Sequence, residues 1–165
     1  MRNFCKAFEK LAAPSLLFGW TASEIVSASL NRTRVVTRVV AVAPLVMAVG
    51  LALAAASQIG DAPPVVVAVW VVALFITGCG IGMAWPHLSA WAMGDVEDPA
   101  EGGTAAAAIN TVQLMCGAFG AGLAGVVVNL NGHGEASAAR WMFGVFAVLA
   151  ALTVVASSRA ARGRV

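Results

Sequence analysis

Glu24 is the only charged side chain of this 165-residue chain that sits inside an apolar stretch rather than in a polar island. An acid within hydrocarbon is expensive, so such positions relay protons or bind cations. The plainer alternative is a shallow acid in a poorly inserted segment. Asn110 and Gln113 are three apart on a stretch rich in Ala and Gly, and so share one helix face. Their amides either glue helices together or line a path for a substrate. His87, next to Pro86, is a residue type that titrates near neutral pH, and it reads first as an interfacial histidine without a role. No Gly-x-Ser-x-Gly, phosphate loop or His/Glu metal pair occurs, and Ser and His are not arranged for nucleophilic chemistry. Enzyme activity, a metal and a cofactor are therefore not expected. Cys5, Cys79 and Cys116 are too widely spaced for a disulfide framework or a zinc site.

The elements that carry these residues are long and apolar. Hydrophobic residues make up 60% of the chain, charged ones 11%, and the mean hydropathy is +0.86. A soluble domain of this size needs more polar surface than that. The charges lie in islands: Arg32, Arg34 and Arg38; Asp95, Glu97, Asp98 and Glu101; Arg159, Arg162 and Arg164. Hydrocarbon excludes charge and admits only helices or closed barrels. The expected fold is therefore all-α, a polytopic transmembrane helical bundle of about five spans. The net charge of +2 gives no reason to expect a nucleic-acid partner. No compact apolar run with a small-residue cleavage site follows the basic N-terminus, so a cleaved leader is not expected.

The expected spans are about 11–30, 39–57, 65–90, 104–129 and 141–157, after a basic segment 1–10 and before a basic tail 159–165. The first is weak, since it holds Pro14, Glu24 and several hydroxyls. The third is too long for one perpendicular crossing, and a tilt or kink is expected near Gly78, Gly80, Gly82 and Pro86. Asp98-Pro99-Ala100-Glu101 reads as a helix start, with Asp98 as cap and Glu101 as its reciprocal partner. Gly117, Gly120, Gly122 and Gly125 give the fourth span a small-residue face on which helices approach closely. The Trp residues mostly read as interfacial anchors.

Short-loop Lys and Arg counts place the 32–38 island and the C-terminus in the cytoplasm. The turns 58–64 and 131–140 fall outside, and the acidic loop inside by alternation. A multi-pass protein of the cell (inner or plasma) membrane is expected. The first segment fits less well: if it spans, Arg2, Lys6 and Lys10 are left outside, against the rule. If it lies along the membrane or re-enters, both its ends are inside.

In order, Gly19-Trp20-Thr21 onward to Leu30, Asn31-Arg32-Thr33-Arg34, Gly80-Ile81-Gly82-Met83-Ala84-Trp85-Pro86-His87-Leu88, and Glu101-Gly102-Gly103 through Asn110-Thr111-Val112-Gln113-Leu114 to Gly125 resemble the major facilitator superfamily. The likeness is to its fourteen-span drug:proton antiporter branch and covers nearly all of 15–158. It implies the last five helices of a proton-coupled multidrug efflux transporter, a carboxyl-terminal fragment making most of the C-terminal bundle. Asn31 stands where the family loop motif has Asp, its second Gly is missing, and Arg32 aligns. The resemblance implies that Glu24, Asn110 and Gln113 face a proton or substrate path. It also implies that Arg32 and Arg34 meet Asp95, Glu97 or Asp98 in a cytoplasmic gate. The implied partners are the lipid bilayer, protons, an amphiphilic small molecule and an amino-terminal transporter half, without which no transport is expected. A different reading is a small membrane partner protein that dimerises, or docks on another membrane protein, through the glycine-rich fourth helix.

Overall fold

A computed structural model describes residues 2–60, 62–131 and 134–163, without the side chains of 2–9, 12 and 99. Five helices follow one another: α1 (Arg2–Ala28), α2 (Thr33–Ala56), α3 (Pro64–Gly94), α4 (Gly102–Leu130) and α5 (Glu135–Arg162). One 3-10 turn, Pro99–Glu101, precedes α4. Four of the five, α2 to α5, are long and apolar enough to cross a membrane. The all-α class and the polytopic reading therefore stand.

Charge and turn chemistry set the helix ends. Asp98 Oδ1 accepts the Ala100 N–H at 2.8 Å, and the Asp98 carbonyl accepts the Glu101 N–H at 2.9 Å. Asp98 thus caps the turn, as its sequence suggests, but α4 proper begins only at Gly102. Gly134, at φ 102°, enters α5 in a conformation that L side chains rarely adopt. The expected basic tail is mostly helix: Arg159 and Arg162 form the last turn of α5, where cations offset the partial negative charge of the helix end. Residues 2–10 form the start of α1. The Gly132–His133 part of the α4–α5 turn lies outside the described residues.

Helix α3 is the hub, and it runs unbroken for 31 residues through Pro86. At ~1.5 Å per residue it is about 46 Å long, against roughly 30 Å of hydrocarbon, so it tilts or extends past the interface. Its neighbours approach on glycine. A Cβ on Gly78 would strike the Leu16 carbonyl, and one on Gly82 would strike the Trp20 carbonyl and Ser23 Oγ. On another side Gly50 of α2 seats against Ala73 and Thr77, and Gly80 against Met47 and the Ala43 carbonyl. Between lipid-embedded helices no hydrophobic force operates. Close backbone approach and dispersion therefore supply the attraction.

These contacts fix direction. Along α1 and α3 the contacting residues advance together, from Gly19 beside Phe75 to Ser27 beside Met83, so the two helices are parallel. Along α2 they run in opposition, so α2 is antiparallel to both. Ala54 of α2, Trp70, Ala73 and Leu74 of α3, and Phe143 of α5 form the packed centre. Helix α5 is antiparallel to α2: Arg140 Nη2 donates to the Gln58 carbonyl at 2.6 Å, and Ser157 Oγ to the Ala41 carbonyl at 3.4 Å. The α2–α3 and α4–α5 turns therefore share one end of the bundle. The Arg32–Arg38 island, the acidic loop and the end of α5 share the other.

Candidate functional site

The candidate residues fall in three separate places. Asn110 and Gln113 lie on α4, both exposed, and no residue of α4 is buried. Glu24 lies on α1, half-buried on the seam with α3, and Gly82 sits against its backbone.

The α4 surface carries its polar groups within an apolar helix. Thr111 Oγ1 turns back to the Ala107 carbonyl at 2.8 Å, and Asn129 Nδ2 to the Gly125 carbonyl at 2.7 Å. Around them Val112, Leu114, Met115, Phe119 and Val126 are exposed. Gly117, Gly120, Gly122 and Gly125 have open space where a Cβ would be. A shallow groove, lined by Ala118, Phe119, Gly122 and Leu123, runs along this face. The glycines read as packing residues thus meet no neighbour among the described residues, and a packing partner for them would have to be another chain or segment. The close helix approaches are made instead by Gly19, Gly50, Gly78, Gly80 and Gly82. The sequence held a signal for this, because Gly78 and Gly82 repeat the four-residue small spacing of Ala118 and Gly122. The expected kink at those glycines was the competing interpretation of the same residues.

The α1–α3 seam holds a polar cluster. Ser27 is 2% exposed and His87 7%. Ser27 Oγ donates to the Met83 carbonyl at 2.7 Å and lies 2.9 Å from His87 Nε2. Ser23 Oγ donates to the Trp20 carbonyl at 3.0 Å. The Trp20 indole N–H is buried and has no hydrogen-bond partner among the described residues. The His87 side chain, placed by its sequence near the end of a span, is thus covered by α1 and bonded to it. Ser27 was not singled out in the sequence at all. Its spacing of three from Glu24 places both on one side of α1, which was the available signal.

The third group is the charged end. Arg32, Arg34, Asp95, Glu97 and Asp98 are all exposed at the same end of the bundle. Antiparallel packing of α2 on α3 brings the start of α2 beside the end of α3. Residues of opposite charge therefore lie at the same end of the bundle.

Two curated relatives, from two strains of Mycobacterium tuberculosis, match the chain, each described as a probable multidrug-efflux transporter. Each is 60% identical over 146 residues, which is 88% of this chain. The chain spans 31% of the length of either relative. It is similar to part of an efflux transporter. No family model matches it. No solved structure matches it either. The likeness and the four span-length helices together describe a multi-pass membrane chain of transporter type.

Proposed function

We propose that this chain is the carboxyl-terminal helical portion of a proton-coupled multidrug efflux transporter of the major facilitator kind. The observation that carries this is the 60% identity, spread over 88% of the chain, to part of two efflux transporters. The exposed α4 face supports it. In a bilayer, Asn110 and Gln113 would meet acyl chains that cannot hydrogen-bond, so a second wall is required. In this reading that wall is the remaining part of a transporter. The path for an amphiphilic substrate then runs between it and α4, and Glu24 serves proton movement on α1. Arg32 and Arg34 attract Asp95, Glu97 and Asp98 at the cytoplasmic face. Exposed pairs of this type contribute roughly 0–1 kcal/mol, enough to bias a gate and too little to hold the fold.

Alone, this bundle has half a cavity. Proteoliposomes of the purified chain should show no proton-driven dye export, and cells expressing it should gain no drug resistance. Either activity would overturn the requirement for a second wall. A second reading rests on the open glycines of α4: the chain associates with another membrane protein, or with itself, through this face. Crosslinking in native membranes should then capture a complex that Gly122→Leu with Gly125→Leu abolishes. Capture of no complex, or of one indifferent to both substitutions, would remove this reading.

A further inference from the structure

We infer that Ser27 and His87 form a tautomer-locked clasp between α1 and α3, a buried site that takes up a proton at His87 Nδ1 without releasing α1. The argument begins with one hydrogen. Ser27 Oγ and the Met83 carbonyl oxygen are 2.7 Å apart. Two oxygens meet at that distance only with a hydrogen between them, and a carbonyl has none to give. The Ser27 proton is therefore committed to Met83. Its lone pairs remain for His87 Nε2, at 2.9 Å, so Nε2 must be the donor. Neutral His87 is thereby held as the Nε2–H tautomer, and Nδ1 is the ring nitrogen left without a proton.

The consequence concerns what a proton does here. Uptake at Nδ1 gives an imidazolium in which Nε2–H still donates to Ser27 Oγ. The bond between the helices persists in both charge states, and only the charge changes. Its setting restricts escape by movement: one turn away, Gly82 seats against the Trp20 carbonyl and Ser23 Oγ, leaving no slack in the seam. The ionisable neighbours on the packed elements are few. On α1, Glu24 lies one turn before Ser27 and is half-buried. On α2, Arg34 and Arg38 are exposed, and Asp95 follows two turns later at the end of α3. Glu24 is the acid nearest to Ser27 along α1, with its backbone against Gly82. Use of this proton in coupling would rest on the transporter reading, whereas the clasp stands without it.

The chain has two histidines, His87 and His133, so spectra of isotope-labelled histidine are assigned with one variant, His133→Gln. The ring-nitrogen shifts of purified protein in nanodiscs should show neutral His87 almost wholly as the Nε2–H form. Acidification should protonate Nδ1 while the Nε2–H shift stays that of a hydrogen-bonded donor. Ser27→Ala should convert the neutral signal into a tautomer mixture. An Nδ1–H form in the unsubstituted protein, or a ratio unmoved by Ser27→Ala, would overturn the clasp. Unfolding midpoints give a second readout. His87→Gln keeps a donor near the Nε2 position and should retain most of the midpoint, whereas His87→Ala should lower it. The Ser27→Ala and His87→Ala losses should not add in the double variant, and additive losses would count against the clasp. Each of these results leaves the transport assays unaffected, so the two readings fail separately.

Discussion

Glycine position decides more than glycine number. The chain has 17 glycines, and those on α4 face open space while Gly78, Gly80 and Gly82 of α3 touch neighbouring backbone. Gly82→Leu should therefore force α1 off α3, at a cost of 1–3 kcal/mol or more, the usual range for overpacking. Gly122→Leu should leave the unfolding midpoint of the detergent-purified chain unchanged. A matched loss in both variants would contradict the packing described. A second residue-scale test concerns Arg140, whose guanidinium donates to the Gln58 carbonyl. Gln58 is itself buried, with Nε2 bonded to the Ala54 carbonyl at 3.0 Å. Hydrogen bonds to charged groups contribute about 1.5–3 kcal/mol, so Arg140→Ala should destabilise by roughly that range. Arg140→Lys should recover part of it, because lysine still donates, from a different position. Chemical denaturation of the three proteins in one detergent measures this.

Among the elements, α1 and α4 are the unusual ones. Helix α1 is not among the four helices apolar enough to span, yet it runs parallel to α3, with the stretch from Leu16 to Ser27 beside the stretch from Phe75 to His87. Parallel packing along a spanning helix is expected to carry α1 through the same slab. The start of α1 is then on the side of the α2–α3 turn, opposite to Arg34. In a chain whose native cysteines are replaced, Asn3→Cys should react with an impermeant reagent from the same side as Ile59→Cys. It should be protected on the side from which Arg34→Cys reacts. Reaction from the Arg34 side would mean that α1 does not cross. Helix α4 is the opposite case, apolar enough to span but without a buried residue. Its backbone amides in nanodiscs should exchange faster than those of α3, because local opening follows the density of packed contacts. Equal protection along α3 and α4 would show that α4 is covered.

For the whole molecule, the charged end and the transport assay belong together. The 32–38 island, the acidic loop and the end of α5 gather at one end, as the alternation of spans requires. Replacing Arg32 and Arg34 together with Ala should change the unfolding midpoint by less than about 1 kcal/mol equivalent, since both are exposed. A larger loss would make that end a structural element and no longer a gate.

The sequence by itself determined the class of the molecule. Sparse charge in islands, with about 20 or more apolar residues between, leaves helices in a bilayer as the economical solution. That pattern also located the bundle ends, because polar turns cannot stay in hydrocarbon. It read the Asp98 cap, which depends only on neighbours in the chain. It left the side of α1 open, because Pro14, Glu24 and the hydroxyls weaken a span that only contact with α3 restores. It did not say whether a neighbour within the chain meets the glycines of α4, because a small-residue repeat looks the same whether or not one fills it. The tertiary structure decided which glycines have partners, that α1 follows α3 in parallel, and that Ser27 and His87 meet. Those facts depend on contacts between residues about 60 positions apart in the chain, such as Ser27 with His87. Helical period fixes the face on which a residue stands, but not the helix that comes to meet it.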